Sequence, residues 1–195
     1  IFVWLTRLRQ LCNHPKLFLA DYDGESSKLE ALLELLEECK SGGHRVLLFS
    51  QFTEMLSIIK ENIPKDMTYL YLDGKTKSEH RMELVERFNS GEGDIFIISL
   101  KAGGSGLNLT GADTVIHFDP WWNSSVENQA TDRAYRMGQT KNVNVFKMIA
   151  KGTIEEKINI IKDEKEKLIR EILDEKQENI ISMTKKDILE LLSVK

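Results

Sequence analysis

An amide and two guanidinium groups recur at close spacing in residues 129–136. Gln129, Arg133 and Arg136 are separated by four and three residues, a spacing that would bring their side chains to one face of a helix. Two guanidinium groups so close together repel unless an anion lies between them, and each presents a planar fork of donors that suits phosphate oxygens. A solvated basic helix end is the simpler alternative. Because Asp132 and a Met-Gly-Gln sequence accompany the arginines, we interpret the segment as a phosphate-sensing element.

A glycine-rich stretch lies upstream, directly after the apolar run 95–98. Its glycines and the polar residues before them are Ser99, Lys101, Gly103, Gly104 and Gly106. Glycines allow backbone amides to approach a phosphate, and the polar side chains could add contacts to a nucleic-acid backbone. A dinucleotide-binding fingerprint is the alternative, but Leu109 occupies the position of its third glycine. We therefore favour contacts with nucleic-acid phosphates.

Phosphoryl transfer from ATP requires more than the sequence supplies. It needs a phosphate cradle, a metal ion and a group that positions water, together with positive charge at the transition state. Residues 74–76, Gly-Lys-Thr, match the end of the Gly-x-x-x-x-Gly-Lys-Thr loop, but Tyr69 stands where its first glycine belongs. The 195 residues also contain no acidic Asp-Glu-x-His sequence. We expect the main nucleotide site on a preceding lobe and interpret residues 73–76 as a turn at a strand exit.

Apolar runs and helical patterns must position these segments. Short, continuously apolar runs predict strands at 46–49, 69–72, 95–98, 115–118 and 143–149. Apolar residues at helical spacing predict helices at 1–12, 26–40, 52–62, 78–88, 123–136 and 153–176, with a short helix at 184–192. Strands that alternate with helices indicate a parallel sheet, whose ligands bind at the carboxyl ends of the strands. The candidate residues follow those ends.

Composition restricts the class of protein. Of the 195 residues, 41% are hydrophobic and 30% are charged, as in soluble globular domains, and no apolar stretch is long enough to span a membrane. Cys12 and Cys39 form no disulfide or metal pattern, which favours a reducing compartment. The four histidines have no ligand spacing, so no metal site is predicted. A net charge of −4 argues against a protein that coats nucleic acid, although residues 133–151 contain five basic and no acidic residues.

Three blocks of the sequence resemble the Swi/Snf-type DNA-dependent ATPases of helicase superfamily two. Residues 101–109 read Lys-Ala-Gly-Gly-Ser-Gly-Leu-Asn-Leu and resemble motif V, and residues 132–139 read Asp-Arg-Ala-Tyr-Arg-Met-Gly-Gln and resemble motif VI. Residues 119–123 match the block Asp-Pro-x-Trp-Asn. The resemblance extends from Leu8 to about Ile158. It implies an α/β fold: a RecA-like lobe in which helices sandwich a parallel β-sheet, with a C-terminal helical extension.

The resemblance also implies roles at the nucleotide. The positions that match the family's ATP-responsive residues are Gln129, Asp132, Arg133, Arg136, Gly106 and Asn108. Arg136 would be the arginine finger and Arg133 its companion at the phosphates. Gln129 would sense the nucleotide, Asp132 would position the arginines, and the two motif V residues would couple the nucleotide side to the DNA side. ATP and Mg²⁺ would be bound mainly by the preceding lobe.

Contacts with DNA are implied at a second set of positions. They are Ser50, Gln51, Lys75, Ser99, Lys101, Gly103, Gly104, Trp122 and Asn123. Ser50 and Gln51 resemble motif IV, and Trp122 could wedge against a sugar or base. For Trp121 we favour a core or interface role, and for Lys75 a turn without DNA contact is an equal alternative. At Arg81 we expect an intradomain salt bridge.

These interpretations divide the chain into three parts. Residues 1–25 would be an inter-lobe linker helix and connector, 26–152 the RecA-like helicase C-terminal lobe, and 153–195 bracing helices. The hypothesis is the second motor lobe of an ATP-dependent translocase on double-stranded DNA, inactive without the N-terminal RecA-like lobe of the same polypeptide. The alternatives are a DNA-binding or protein-docking module without enzymatic activity, and a doubly wound nucleotide-binding enzyme. We expect a prokaryotic, cytoplasmic and nucleoid-associated protein; a eukaryotic member would be nuclear.

Overall fold

The computed structural model describes residues 2–103, 106–135 and 142–172. The strands are β1 (Val46–Ser50), β2 (Tyr69–Leu72), β3 (Ile95–Ser99), β4 (Thr114–His117) and β5 (Asn144–Lys147). The α-helices are α1 (Phe2–Asn13), α2 (Ser27–Ser41), α3 (Thr53–Asn62), α4 (Ser78–Asn89), α5 (Leu100–Gly103), α6 (Ser124–Thr131) and α7 (Ile154–Ile172), with a 3₁₀ helix at Pro15–Leu17. Arg136, Gly104 and the helix expected at 184–192 lie outside the described residues.

The strands form a single parallel sheet in the order β2-β3-β1-β4-β5. The predicted α/β class and parallel sheet are therefore confirmed. All residues of β1, β3 and β4 are buried, as expected for strands that helices cover on both faces. Because the strands are parallel, their carboxyl ends meet at one edge, which we call the carboxyl edge. The opposite side is the amino edge.

Alternating side chains of β1 build two cores, one on each face of the sheet. Leu47 and Phe49 face a cluster that includes Phe88 of α4, whereas Val46 and Leu48 face a cluster with residues of α2 and α3. This alternation follows from the two-residue period of a strand. The loops that follow β1 and the neighbouring strands are thus supported by a packed core on each face of the sheet.

Local sequence explains why α1 and α2 begin and end where they do. Proline at position 15 stops α1 after Asn13. Ser26 caps α2, since its Oγ accepts a hydrogen bond from the Leu29 amide at 3.4 Å. The same hydroxyl donates to the Asn13 carbonyl at 2.9 Å. The cap therefore also fixes the end of α1 against the start of α2.

Two buried ion pairs attach α7 to the same lobe. Lys28 Nζ of α2 lies 2.6 Å from Glu155 Oε2, and Lys162 Nζ lies 2.8 Å from Glu127 Oε2 of α6. The described part of α7 therefore packs on its own domain. Bracing across a preceding lobe stays a prediction.

The helix that carries the candidate glutamine is shorter than expected. It ends at Thr131, and Asp132 is its C-cap, with its amide donating to the Asn128 carbonyl at 2.8 Å. Residues 132–134 form a turn, so the prediction of one continuous helix through residue 136 was wrong. A backbone hydrogen bond of 3.0 Å from the Leu109 amide to the Arg133 carbonyl holds that turn against the glycine-rich stretch. The carbonyl is thus used by a distant segment instead of the next helical turn.

Candidate functional site

A cleft of about 510 Å³ opens at the carboxyl edge, over the ends of β1, β2 and β3. Four of the predicted DNA-contacting residues line it: Gln51, Lys75, Ser99 and Lys101. They come from segments at the carboxyl ends of β1, β2 and β3, which are more than twenty residues apart in sequence and which the parallel sheet brings side by side. The side chains of Lys75 and Lys101 are exposed, so two cations stand at the cleft. Glu54 of α3 also lines the wall.

Ser99 ends β3 at the floor of this cleft. Its side chain is buried with 3% exposed, and its Oγ has no hydrogen-bond partner in the described part of the chain. A buried hydroxyl without a partner costs free energy unless another molecule supplies one. Ser99 Oγ is thus left without a protein partner among the described residues beside the cleft, and its contact with a phosphate stays a prediction.

Ser50 lies under the cleft and serves the loop that follows β1. Its hydroxyl donates to Asp119 Oδ2 and accepts from the Phe52 amide at 3.1 Å. The Gln51 amide donates to Asp119 Oδ1 at 3.3 Å. Because Ser50 is 1% exposed, its hydroxyl shapes the loop, and Gln51 is the motif IV residue that reaches the cleft. A direct contact of Ser50 with DNA stays a prediction.

A tight turn presents Lys75 at the end of β2. The Lys75 amide donates to Asp73 Oδ1 at 2.9 Å, and Tyr71 donates to Asp73 Oδ2 at 3.1 Å. Burial tends to raise the pKa of Asp73, but these hydrogen bonds and those from Thr76 outweigh it and lower the pKa. An ionised Asp73 therefore holds the turn. Arg81 supports it by donating through Nε to the Thr76 carbonyl at 2.8 Å.

The described part of the glycine-rich stretch shows two local reasons for glycine. A Cβ on Gly103 would lie 3.0 Å from Phe49 Cε1, so glycine lets α5 pack closely on β1. Gly106 has φ of +69°, a left-handed conformation that favours glycine. Asn108 has an exposed side chain, and its carbonyl accepts from Asn89 Nδ2 at 2.8 Å. Neither Gly106 nor Asn108 lines the cleft of Gln51 and Lys101.

The structure separates the residues that were predicted to act at the nucleotide. Gln129 and Asp132 are exposed, whereas Arg133 is 3% exposed. Because the helix ends at Thr131, the expectation that Gln129 and Arg133 share one helical face was wrong. The backbone bond between Leu109 and Arg133 nevertheless joins motif V to motif VI. A phosphate contact by Arg133 stays a prediction, as does the one by Arg136.

Trp121, Trp122 and Asn123 follow β4 and are each partly exposed. Trp121 packs against the core cluster that contains Phe49, so its predicted core role is confirmed. Asn123 caps α6, with Oδ1 accepting from the Ser125 amide at 2.9 Å. That cap occupies the side-chain oxygen of Asn123. DNA contacts by Trp122 and Asn123 stay predictions.

Buried charges behind these loops were missed in the sequence. Asp119 interacts with Arg9, whose Nη2 lies 3.6 Å from Asp119 Oδ1. Burial raises the pKa of Asp119, and the charge of Arg9 opposes that shift. Glu127 Oε1 accepts from the Trp121 amide at 2.6 Å, and burial tends to raise the pKa of Glu127, but Lys162 outweighs it and lowers the pKa.

No spacing pattern could have revealed these pairs, because their members lie far apart in the chain. Arg9 and Asp119 belong to two separate family-like blocks, and that membership was the one available signal. The pairs support the loops from within. No described helix has both the length and the apolar character that crossing a membrane requires.

Comparison with known sequences agrees with the three sequence blocks. The helicase conserved C-terminal domain family matches residues 27–138. A putative ATP-dependent helicase/translocase of Bacillus subtilis, YwqA, is 45% identical over 180 residues, which cover 89% of this chain and 20% of that protein. The human chromatin-remodeling ATPase INO80 is 43% identical over 170 residues, which cover 86% of this chain and 11% of that protein. The chain thus spans a fifth or less of the length of these two curated relatives.

Solved structures with the same fold include two ATPase domains. The SWI2/SNF2 ATPase core domain of Sulfolobus solfataricus aligns with a TM-score of 0.72 at 35% identity, covering 98% of this chain and 40% of that chain. The C-terminal part of the Fun30 ATPase domain aligns with a TM-score of 0.67 at 39% identity, covering 80% of this chain and 53% of that chain. Both alignments place the five-stranded sheet within an ATPase core.

Proposed function

The chain belongs to the helicase conserved C-terminal domain family, with Snf2-type ATPases as its relatives, and on this premise we propose that it is the second motor lobe of an ATP-dependent translocase on double-stranded DNA. Its share of the work is to bind the DNA backbone and to supply positive charge to ATP held mainly by the N-terminal lobe of the same polypeptide.

The cleft at the carboxyl edge is the observation that carries the DNA part of this proposal. It gathers Gln51, Lys75, Ser99 and Lys101 from the carboxyl ends of three strands. An amide, a hydroxyl and two cations are the groups that bind phosphate and sugar without reading sequence. A motor that tracks along DNA needs such contacts, because it must bind each new position equally well.

The charge at the cleft fits reversible binding of DNA. The whole chain is acidic, at −4, while the two lysines at the cleft are exposed. Each phosphate neutralised by a lysine adds about one to the slope of log affinity against log salt concentration. Two such contacts give a slope of about two, so a fourfold rise in salt lowers the affinity roughly tenfold. An affinity of this modest size allows repeated binding and release.

Three residues of this chain would act at the nucleotide. Arg136 would neutralise the charge that develops during phosphoryl transfer, Gln129 would sense the nucleotide and Asp132 would position the arginines. Among the described residues, no group of His, Cys, Asp or Glu is placed to hold a metal ion. We therefore assign the main contacts to ATP and Mg²⁺ to the preceding lobe, and ATP bound there supplies the free energy of the cycle.

The test compares the full-length parent protein with this chain alone. We expect ATP hydrolysis by the parent to rise strongly when double-stranded DNA is added, and this chain to show no hydrolysis with or without DNA. Titration calorimetry of this chain with NAD and ATP supplements the assay, and we expect no NAD binding and at most weak ATP binding. A parent that binds DNA but never hydrolyses ATP would instead support the docking-module alternative, and ATP hydrolysis by this chain alone would contradict the assigned division of labour.

A further inference from the structure

Arg9 of α1 lies buried beneath the loops that follow β1 and β4. Its side chain is 1% exposed. Nη2 lies 3.6 Å from Asp119 Oδ1 and donates to the Pro120 carbonyl, while Nε has no hydrogen-bond partner in the described part of the chain. The guanidinium group is therefore held by the loop after β4 instead of by its own helix.

Three aromatic rings enclose the same guanidinium group. Its Cζ lies 4.7 Å from the ring centroid of Trp122, 5.4 Å from that of Phe52 and 5.7 Å from that of Trp121. All three distances fall within the cation–π range of about 6 Å. Phe52 belongs to the loop after β1 and the tryptophans to the loop after β4, so one side chain of α1 contacts both loops.

Asp119 extends this contact to the cleft. Its carboxylate interacts with Arg9 and also accepts from the Ser50 hydroxyl and the Gln51 amide. The residue that lines the cleft, Gln51, is therefore one hydrogen bond away from the partner of Arg9. Trp122, the other proposed DNA contact nearby, lies directly against the guanidinium group.

Packing alone does not require a charge at this position. A well-packed apolar side chain is often as stabilising as a buried ion pair, or more so, but an ion pair with fixed hydrogen bonds specifies the relative placement of its partners. Arg9 has an acceptor on one loop and aromatic faces on both. It therefore fixes one position of α1 relative to the two loops.

We propose that Arg9 is a positioning residue that couples α1 to the loops carrying Gln51 and Trp122, so that a displacement of α1 moves both DNA contacts as one unit. The inference rests on the proposed motor function, in which α1 lies between the two lobes. Closure of the lobes then reaches the DNA contacts through Arg9 and Asp119. Without Arg9, the DNA contacts of Gln51 and Trp122 remain, but they no longer move together with α1.

The test is Arg9→Met in the full-length parent, a change that keeps most of the side-chain volume. We expect ATP turnover at saturating double-stranded DNA to stay within about threefold of the wild type, while the distance moved along DNA per ATP, measured by triplex displacement, falls about tenfold. Arg9→Lys retains the cation but not the fork of donors, so its distance per ATP should lie between the two. Asp119→Asn, which conserves shape, should lower the distance in the same direction.

The matched control is the double variant Lys28→Met with Glu155→Gln. This buried pair, with 2.6 Å between Nζ and Oε2, also contacts α1 through Asn13. Its charges act on Asp119 and Arg9, but among the described residues it makes no hydrogen bond to the loop of Gln51. We expect a lower melting temperature and an unchanged distance per ATP.

The outcomes separate the two levels of inference. A parent without DNA-stimulated hydrolysis overturns the proposed function and this inference with it. An active parent in which Arg9→Met and Asp119→Asn both keep the wild-type distance per ATP overturns the coupling role alone. An equal loss of distance per ATP in the Lys28 and Glu155 control also overturns it, because general destabilisation would then explain the effect.

Discussion

The amino edge and the carboxyl edge of the same sheet use their polar groups in opposite ways. At the amino edge, Arg45 donates to the carbonyls of Glu92, Gly93 and Gly111 at 2.7 to 3.1 Å, and its Cζ lies 4.0 Å from the Phe88 ring centroid. Each donor has a protein acceptor, and the cation covers the core. At this edge the charge of Arg45 holds strands and loops together.

At the carboxyl edge, polar groups are left available. Lys75 and Lys101 are exposed, and Ser99 Oγ is buried without a partner in the described structure. Arg45 is thus committed to the fold, whereas Lys75 and Lys101 can meet a ligand. The arginines near the carboxyl edge, Arg9 and Arg81, are bonded within the protein as Arg45 is. Four predictions test this contrast.

The largest effect is expected from Arg136→Ala in the full-length parent. An arginine finger contributes about 10³ to 10⁵ in rate, so DNA-stimulated hydrolysis should fall at least a thousandfold while ATP binding is retained. Steady-state hydrolysis and nucleotide titration measure the two quantities. Turnover near the wild-type rate would contradict the assignment of Arg136 as the arginine finger.

His117 tests whether a polar residue at the carboxyl edge can, like Arg45 at the amino edge, be held within the protein. It ends β4, its ring stacks 5.6 Å from that of Phe49, and its Nε2 lies 2.9 Å from Thr131 Oγ1. Burial lowers its pKa to about 4. The charged groups that act on it are Glu127, Lys147 and Lys162.

The sign of the pH effect follows from that lowered pKa. Above pH of about 6.5, His117 is neutral in the folded and the unfolded chain. As the pH falls from about 6.5 to about 4, the unfolded chain binds a proton that the folded chain does not, so the free energy of unfolding decreases, by about 3 kcal/mol. Denaturant titrations at pH 7, 5.5 and 4 should show this loss, and His117→Gln should remove that part of it. An identical pH dependence in the variant would contradict the buried, neutral histidine.

A pair of glycine substitutions compares the two edges directly. A Cβ on Gly111, at the amino edge, would lie 2.9 Å from Asn89 Cα and 3.0 Å from the Phe88 carbonyl oxygen, whereas one on Gly74, at the carboxyl edge, would meet nothing within 4 Å. Overpacking typically costs about 1–3 kcal/mol. Gly111→Ala should therefore lower the free energy of unfolding by that amount, and Gly74→Ala should leave it nearly unchanged. Equal losses in thermal and denaturant melts would mean that the edges do not differ in packing.

The smallest effect is expected from Lys101→Ala. Removing one phosphate contact should weaken binding of double-stranded DNA uniformly across sequences and reduce the salt slope by about one. Melting should not change, because the side chain is exposed. Lys65→Ala is a matched control, since Lys65 is likewise exposed and does not line the cleft. The same loss of affinity in both variants would show that the cleft has no special part in binding.

Continuous apolar runs and simple caps made most of the fold predictable. The strand expected at 69–72 agrees residue for residue, and the one expected at 46–49 gains only Ser50. Ser26, the first residue of the helix expected at 26–40, is the N-cap of α2. Such features are local. They can be predicted from the sequence because each segment must bury its own apolar face.

The rest depended on contacts between distant segments. Leu109 holds the turn that follows α6 through the Arg133 carbonyl, and Arg9 with Asp119 joins α1 to the loop after β4. Nothing in the local pattern of either residue shows its partner. For the same reason the sequence did not show that the Ser50 hydroxyl bonds Asp119 and the Phe52 amide.

The central place of β1 has a consequence for biosynthesis. Val46 pairs with Ile95 on one side and with Thr114 on the other, so this apolar strand leaves the ribosome well before either neighbour exists. Pairings of such long sequence separation are slow to form, and an unpaired apolar strand is prone to aggregation in the meantime. The nascent chain therefore has a window, closing only after β4 has been synthesised, in which chaperone binding at β1 protects it.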